Sequence, residues 1–285
     1  MEITEALVRR LVDAQLPPWA GLPVRAVPRQ GHDNRTFRLG DDLAVRLPSH
    51  ERYVAGIAKE DAVLPHLAAH LPVAVPVPVA TGRPGEGFPF PWSVRRWLEG
   101  ETPDHVDALD RMLLAADLGT VLRRLREVPA AAGPPAGEHS FHRGGDLRVY
   151  AHEVEDVLAE RPGDVDPATC RAVWQRATGS TWSADPVWVH GDVAVGNLLV
   201  HDGRLSALID FGTCAVGDPA CDLVVAWTLF DATERRVFRE AVDLPDDVWE
   251  RARGWALWKA LVTDPDGPHH LVQQRALREL LDEVA

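Results

Sequence analysis

The sequence predicts an α+β protein, with a strand-rich first part and a larger, mainly helical second part. Short extended runs separated by turn residues occupy positions 24–48, and a segment rich in Pro and Gly, 71–100, predicts two more strands. Beyond residue 100, apolar residues recur mostly at helical spacing. A chain of 285 residues is also long enough for two lobes. We therefore predict one domain over 1–98 and a second over 99–285.

The first part is predicted to begin with an amphipathic helix over about 2–15 and to continue as an antiparallel sheet. Turn residues separate three strands, at 24–30, 34–39 and 42–48. A second helix is expected over about 51–70, where Pro65 predicts a kink or a new helix start. The prolines and glycines of the 71–100 segment predict two strands that tolerate an edge position, joined by a loop and followed by a linker.

The second part is predicted to consist of helices around a compact strand-rich patch. The helices are expected at about 104–127, 144–160, 166–178, 219–232, 245–263 and 270–284. The patch contains the runs VWVHGD, NLLVHDG and RLSALIDFG, and its HDGR turn predicts a hairpin. Trp249, Trp255 and Trp258 fall at helical spacing, so we expect them to pack their helix against this part and not to bind a ligand.

The composition is that of a globular enzyme, with 46% hydrophobic and 26% charged residues. No apolar run approaches the roughly 20 residues of a membrane span, and the chain start lacks the pattern of a signal peptide, so we expect a cytoplasmic location. The three cysteines show no short paired spacing. They predict buried thiols, not a disulfide framework or a zinc site.

The net charge of −13 lies almost entirely in the second part, because residues 1–100 are nearly balanced. A nucleic-acid-binding protein needs a basic face, so this class is disfavoured. An amine-bearing small substrate would be attracted to the acidic part, although the same acidity also serves solubility.

The most specific motif combines two short segments, HGDVAVGN at 190–197 and IDFG at 209–212. Phosphoryl-transfer enzymes of the kinase type use a loop Asp as base, an Asn five residues later as a metal ligand, and the Asp of a DFG segment as another ligand. Asp192, Asn197 and Asp210 stand at these positions. Each element alone is common in turns, but their ordered combination favours chemistry over two structural turns.

The chemistry explains why these residue types are needed. Mg²⁺ offsets the charge of the transferred phosphate, prefers oxygen ligands and retains several waters. The amide oxygen of Asn197 and the carboxylate of Asp210 would provide two such ligands. Asp192 would then be available to accept the proton of an attacking hydroxyl.

In their order along the chain, HGDVAVGNLLV, ALIDFG and GDPACDL resemble the aminoglycoside phosphotransferase family, small-molecule kinases related to protein kinases. FRLGDDLAVRLP and WLEGE extend the resemblance over nearly the whole chain. It implies a kinase-like two-lobe fold, with a nucleotide-binding lobe over 1–98 and a helical catalytic and substrate-binding lobe over 99–285.

The resemblance also implies roles for individual residues. It makes Asp192 the base and Asn197 and Asp210 the metal ligands, in agreement with the spacing. It implies that His190 supports the catalytic loop. For the two carboxylates of GDPACDL, Asp218 and Asp222, a structural role in holding the site together is favoured.

One position departs from the family pattern. Related kinases place a Lys on the third strand to hold phosphates, paired with a Glu on the next helix. Here LAVRLP offers Arg46, and Glu60 is placed to be its partner. The planar fork of Arg can bridge phosphate oxygens, so we predict Arg46 as the phosphate contact. Lys59 and a plain surface role for Arg46 are the alternatives.

The phosphate-covering loop is also short of glycine, since GHDNRTF contains only Gly31. Its backbone could still close over phosphates, although Asp33 would repel them unless it points away. By the resemblance, the interlobe hinge contacts the nucleotide base near Arg96 and Leu98. Trp97 could stack on that base, but a core position is the more common role of such an aromatic residue.

Together these features predict a Mg²⁺- and nucleotide-dependent O-phosphotransferase. It would move the γ-phosphate of ATP or GTP to a hydroxyl of a small, cationic molecule, and antibiotics are the best-known acceptors of the family. A metabolite kinase of the choline, fructosamine or homoserine type is the alternative, and a non-catalytic nucleotide-binding protein is a third. No obligate protein partner is expected.

Overall fold

The structure is a computed structural model, and it describes residues 2–28, 30–31, 33–131, 133–160 and 166–284. The described residues form two compact units. The first contains those up to Gly100 together with Ser206–Gly212, and the second contains those within Glu101–Leu205 and from Thr213 onward. No helix in the described ranges has the length and apolar character to cross a membrane.

The first unit is built on a five-stranded antiparallel sheet, as the sequence predicts. Its strands are β1 (Val24–Ala26), β2 (Asn34–Leu39), β3 (Leu43–Pro48), β4 (Pro78–Gly82) and β5 (Trp92–Arg96). The order across the sheet is β1-β2-β3-β5-β4, so β5 has a neighbour on each side. Of the two edge-tolerant strands predicted in the 71–100 segment, β4 lies at an edge and β5 lies inside the sheet. Its sequence, WSVRR, contains no proline, so every residue can donate to a neighbouring strand.

Helix α1 (Glu5–Gln15) packs on this sheet because its apolar residues recur three and four positions apart. It buries four side chains, those of Leu7, Val8, Leu11 and Val12. They join a core cluster that includes Phe37 of β2 and Val45 of β3. The hydroxyl of Thr4 accepts a hydrogen bond from the backbone N–H of Leu7 at 3.3 Å and so caps the start of the helix.

Helix α2 (Val54–Ala68) contains Pro65 and continues through it, so no second helix begins there. A proline inside a helix costs about 3 kcal/mol, because it removes a backbone hydrogen bond and crowds the preceding turn. Leu64 and Leu67 beside it are fully buried, and burying a leucine stabilises by about 2 kcal/mol. The burial of these neighbours therefore offsets the cost of the proline.

Buried ion pairs attach α2 to the sheet. Glu60 is 1% exposed, and its carboxylate accepts hydrogen bonds from Arg46 of β3 and from Arg95 of β5, each at 3.1 Å. Arg95 is also buried and donates to Ser93 and Asp61. Burial alone would raise the pKa of Glu60, but the two guanidinium groups lower the pKa to about 2. The carboxylate is therefore charged at neutral pH.

The second unit is mainly helical, as expected. Its α-helices are α3 (Arg111–Glu127), α4 (Ala151–Glu160), α5 (Pro167–Thr178), α6 (Val225–Thr228), α7 (Ala232–Val242), α8 (Asp246–Val262) and α9 (His270–Asp282). Strands β6 (Val187–Val189) and β9 (Ala215–Gly217) pair antiparallel. Strand β7 (Leu198–His201) is followed by the HDGR turn, where Asp202 and Gly203 have the positive φ angles of a tight hairpin turn. The next strand, β8 (Arg204–Leu208), continues into the first unit from Ser206.

Three predicted helices differ from those observed. The 144–160 segment becomes α-helical only from Ala151, after a 3-10 turn at Leu147–Tyr150, and in the other two local caps override the apolar periodicity. The helix predicted over 104–127 is observed only from Arg111, as α3. The Asp110 side chain accepts the backbone N–H of Leu113 at 3.0 Å and caps the helix there. The helix predicted over 219–232 is not continuous in the structure. It contains a 3-10 segment and the short α6, and Asp231 then starts α7. Asp231 forms a reciprocal capping box with Glu234.

The aromatic and sulfur side chains of the second unit lie in its core. Trp249, Trp255 and Trp258 on α8 are at most 7% exposed, which confirms their predicted packing role. Cys170, Cys214 and Cys221 are buried and form no disulfide with one another, as the sequence predicts. Burial raises the pKa of Cys170 to about 11, so this thiol stays protonated at neutral pH.

Close packing of α3 on α7 generates a stability prediction. A Cβ at Gly119 of α3 would lie 2.6 Å from the Cβ of Ala241 and 2.9 Å from the carbonyl of Phe238. Gly119→Ala should therefore lower the free energy of unfolding by about 1–2 kcal/mol, although alanine favours helices by about 1 kcal/mol over glycine. Gly56→Ala on α2, where the nearest atom is 3.8 Å away, is the control for urea unfolding and should stabilise. If Gly119→Ala stabilised the protein as Gly56→Ala does, the close contact between α3 and α7 at Gly119 would be contradicted.

The pKa of Glu60 generates a pH prediction. Since it lies below the ordinary 4.5, the charge stabilises the fold above about pH 5, and that stabilisation is lost as the pH falls toward 2. Glu60→Gln should lower the free energy of unfolding by about 3 kcal/mol near neutrality, because it removes the charge between two buried arginines. The difference from wild type should shrink at acid pH in urea titrations. Glu51→Gln at an exposed position is the control, and a difference independent of pH would argue against the ion pairs.

Candidate active site

The loop from His190 to Asn197 connects β6 to β7, and a buried carboxylate shapes its first turn. Asp222 accepts the backbone N–H groups of His190 at 2.8 Å and of Gly191 at 2.7 Å. Gly191 has a φ of 86°, and a Cβ there would lie 2.6 Å from the carbonyl of Thr213. Glycine is therefore required at this turn. Burial raises the pKa of Asp222, and the hydrogen bonds and His190 oppose the rise.

Two further hydrogen-bonding residues hold the rest of the loop. Nδ1 of the buried His190 accepts the backbone N–H of Asp192 at 3.2 Å, and the His190 carbonyl accepts the Thr213 hydroxyl at 3.1 Å. Nδ2 of Asn197 donates to the carbonyl of Asp192 at 2.8 Å. This bond identifies the nitrogen of the amide, so that its oxygen is the atom left to accept a hydrogen bond or bind a cation.

Asp192 lies at the surface of this loop with its side chain 41% exposed. Oδ1 accepts a hydrogen bond from Lys259 Nζ at 2.8 Å, and Oδ2 lies 3.5 Å from Nδ2 of Asn197. Burial raises the pKa of Asp192, but Lys259, His190 and Arg143 together outweigh burial and hold the pKa below its ordinary value. Asp192 is therefore an ionised carboxylate that can accept a proton.

Asp218 anchors the loop region to helix α8. Its carboxylate accepts the Nε–H of Arg251 at 2.7 Å and caps the 3-10 segment through the N–H of Ala220 at 3.0 Å. Arg251 also donates to Asp247 one turn earlier on α8, at 2.9 Å. Burial raises the pKa of Asp218 more than Arg251 lowers it. Asp222 thus holds the loop backbone and Asp218 holds α8, while Asp192 remains accessible.

The first unit contains the other predicted charged residues. Arg46 donates to Glu60 at 3.1 Å through Nη1 and to Asp210 at 3.0 Å through Nη2. Burial would lower the pKa of Arg46, but these two carboxylates raise it overall. The backbone N–H of Phe211 donates to Glu60 at 3.0 Å, so the DFG segment is held by the same carboxylate. Asp210 has a φ of 65°, a left-handed conformation that Asp tolerates.

The remaining predicted nucleotide contacts lie on the loops and strand ends of the first unit. Gly31 accepts a hydrogen bond from the Arg35 side chain through its carbonyl, and its neighbour His32 lies outside the described residues. Arg96 is exposed at the end of β5, and Leu98 is half-buried just beyond it. Between them, Trp97 carries the guanidinium of Arg38 over its ring at 4.4 Å.

The sequence reasoning missed two charged residues that contact the predicted set. Arg95 was not recognised as the second partner of Glu60, although WSVRR places it two residues after Ser93 and therefore on the same face of β5. Lys259 was not recognised as the partner of Asp192. The sequence did offer an indication, because Lys259 follows Arg251 by eight positions and Trp255 by four and so lies on the same face of α8.

The chemistry of these groups fits a magnesium ion that is completed by water and phosphate. The described residues contain no cluster of three or more His, Cys, Asp or Glu side chains that could hold a metal alone. Mg²⁺ commonly binds one or two protein oxygens together with substrate phosphates. Asn197 has its amide nitrogen engaged and its oxygen available, and the Asp210 side chain is 38% exposed. Each can therefore supply an oxygen ligand.

Sequence comparison identifies relatives of this chain. The model of the phosphotransferase enzyme family (APH) matches residues 25–255. An aminoglycoside 3'-phosphotransferase of Escherichia coli is 27% identical over 204 residues, which cover 68% of this chain and 71% of the relative. A streptomycin 3''-kinase of Streptomyces griseus is 31% identical over 180 residues, which cover 57% of this chain and 62% of the relative.

Structure comparison agrees. The GDP complex of aminoglycoside 2'-phosphotransferase-IIIa has a TM-score of 0.73 at 18% identity, covering 99% of this chain and 100% of that protein. The macrolide 2'-phosphotransferase MphH from Brachybacterium faecium has a TM-score of 0.64 at 24% identity, covering 96% and 97%. These likenesses confirm the predicted kinase-like α+β fold. Because the family model covers most of its length, the chain belongs to the phosphotransferase enzyme family.

Proposed function

We propose that this phosphotransferase moves the γ-phosphate of ATP or GTP to a hydroxyl of a small, amine-bearing antibiotic, with Asp192 as base. The observation that supports this most directly is the ionised Asp192 carboxylate, partly exposed on a loop that His190, Asn197 and Asp222 hold in place. A protein that only bound nucleotide would have no need of such a base.

The proposed phosphate transfer needs no reactant other than the nucleotide and the acceptor. The acceptor oxygen forms a bond to the γ-phosphorus as the bond from that phosphorus to the β-phosphate oxygen breaks, and the nucleoside diphosphate leaves. The acceptor proton passes to Asp192. A base aligned in this way contributes about 10²- to 10⁴-fold to the rate.

Among the residues proposed to bind the nucleotide, Arg46 is the one that contacts its phosphates. Its guanidinium is charged and is held by Glu60 from α2, in the way the Lys of related kinases is held by a helix Glu. The backbone near Gly31 is proposed to cover the phosphates, and the backbone near Arg96 and Leu98 to contact the base. These assignments rest on the family resemblance and on the positions of the residues in the first unit.

Mg²⁺ is the proposed cofactor, with Asn197 and Asp210 as its protein ligands. When bound, the ion neutralises charge on the transferred phosphate. The residues themselves are suited to hold it: Asn197 Nδ2 is fixed by the Asp192 carbonyl, and Asp210 Oδ1 is fixed by Arg46. Each side chain is thus held in one orientation before a metal arrives.

The choice of acceptor class rests on the relatives. Those reported above are named for aminoglycosides, streptomycin and macrolides. The acidity of the chain after residue 100 favours an amine-bearing acceptor among these. A metabolite kinase acting on a choline-, fructosamine- or homoserine-type hydroxyl is the competing assignment.

An acceptor screen tests the proposed function. The protein is incubated with ATP or GTP, Mg²⁺ and a panel of aminoglycosides, macrolides, amino alcohols and sugars, and phosphate gain is read by mass spectrometry. Asp192→Asn should lower kcat at least about 10²-fold, with the nucleotide Kd within about twofold of wild type, because only proton acceptance is removed. Asp202→Asn, in an exposed turn of the second unit, is the matched control.

The panel also separates the alternatives. Phosphate gain by a metabolite and by no antibiotic would replace the antibiotic assignment. Nucleotide binding without transfer to any acceptor or to water would leave a pure binding protein. Equal loss of nucleotide binding and turnover in Asp192→Asn would assign Asp192 a structural role.

Metal dependence is tested at Asp210. Chelation of divalent ions should abolish transfer, and Mg²⁺ should restore it. Asp210→Asn keeps the shape of the side chain but removes its charge, so the Mg²⁺ concentration for half-maximal nucleotide binding should rise at least about tenfold. The readout is fluorescence of a labelled nucleotide titrated with Mg²⁺. An unchanged Mg²⁺ requirement, with Asp202→Asn as reference, would exclude Asp210 as a ligand.

A further inference from the structure

Helix α8 carries a lysine whose ammonium contacts the proposed base. Nζ of Lys259 lies 2.8 Å from Oδ1 of Asp192, and this is the one hydrogen bond that the ammonium makes within the described residues. The chain uses lysine sparingly, since only Lys59 and Lys259 among its 30 basic residues are lysines. A compact ammonium therefore contacts the base in a protein whose other basic residues, apart from Lys59, are arginines.

The helix behind Lys259 is anchored at several points along one face. Arg251, Trp255 and Lys259 recur four positions apart and so lie on one side of α8, and Trp258 directly precedes Lys259. Arg251 is bound to Asp218 at 2.7 Å, and both tryptophans are buried. The stem of Lys259 therefore extends from a rigid support, and its 28% exposed side chain is not a freely moving surface group.

The contact leaves the two oxygens of Asp192 in different situations. Oδ1 is engaged by Lys259 at 2.8 Å, whereas among the described residues Oδ2 contacts only Asn197 Nδ2 at 3.5 Å, the outer limit of a hydrogen bond. An acceptor hydroxyl needs an oxygen with an open lone pair within about 3 Å. Oδ2 is that oxygen, provided that the carboxylate does not rotate.

A role in stability alone does not explain this pair. Half-exposed ion pairs contribute little to the free energy of folding, because solvent screens them and the lysine stem loses rotamer freedom. The contact does, however, hold the Asp192 carboxylate in one orientation, because Oδ1 is bound to an ammonium on a packed helix.

We propose that Lys259 is a positioning residue that fixes the Asp192 carboxylate with Oδ2 toward the acceptor hydroxyl. Helix α8 thereby sets part of the acceptor geometry, together with the catalytic loop. Asp192 and Lys259 both line a small cleft, together with Arg143, Trp255 and Trp258 among others. The inference rests on the proposed function, in which Asp192 is the base.

Steady-state kinetics of the full chain, with an acceptor from the screen or with water as acceptor, test the inference. Lys259→Met should lower kcat about 10- to 100-fold, because misplacing a reacting group by about 1 Å has an effect of this size. The KM for nucleotide should stay within about twofold. Lys259→Arg, which keeps the charge, should recover activity to within about tenfold of wild type. In an Asp192→Asn background, adding Lys259→Met should change the residual rate by less than about twofold.

Controls separate positioning from other roles. Arg171→Met removes a cation from another ion pair of the second unit, with Glu155 at 2.9 Å, and should leave kcat unchanged.

Wild-type turnover in Lys259→Met would overturn the inference while the proposed function stands. A further loss in the Asp192→Asn background would overturn it in favour of a direct action of Lys259 on substrate. A joint loss of nucleotide binding and thermal stability in Lys259→Met and Lys259→Gln would show a structural role. If the wild-type chain transfers no phosphate at all, the proposed function fails, and the role of Lys259 fails with it.

Discussion

The candidate site depends on one buried carboxylate that accepts two successive backbone N–H groups. The Asp222 carboxylate accepts the N–H groups of His190 and Gly191. The backbone can make this turn only because residue 191 has no side chain. Charge-assisted bonds to backbone donors are strong, and they are made here in the interior, where water does not compete. The position of Asp192, two residues beyond His190, is a consequence of this arrangement, because its own N–H is bound to the His190 ring.

In the first unit, one glutamate organises three elements in a similar way. Glu60 of α2 binds Arg46 of β3, Arg95 of β5 and the backbone N–H of Phe211. A buried ion pair gains little free energy over an apolar one, because desolvation offsets attraction, but breaking it is costly. Such a cluster therefore specifies geometry more than it adds stability. It keeps Arg46 charged and directed at Asp210.

The aspartates of the second unit lie in different environments. Asp218 and Asp222 are buried with raised pKa values, and their partners are arginine or backbone donors. Asp192 is partly exposed, and its pKa is lowered by Lys259. Of these three aspartates, only Asp192 combines ionisation with access to a reactant. This distinction supports the proposed base and follows from burial and partners, which no spacing in the chain reveals.

The sequence by itself determined the fold class, the family and the order of the catalytic motifs, because strand alternation, helical spacing and short loops such as HGDVAVGN are local patterns. It also indicated Glu60 as the partner of Arg46, through the kinase-like order of strand and helix. Only the tertiary structure decided that Arg95 shares Glu60, that β5 lies inside the sheet, and that Lys259 faces Asp192. These facts join residues 35 or 67 positions apart, or depend on which strands become neighbours. Contacts of this kind are set by packing, and local sequence carries no record of them.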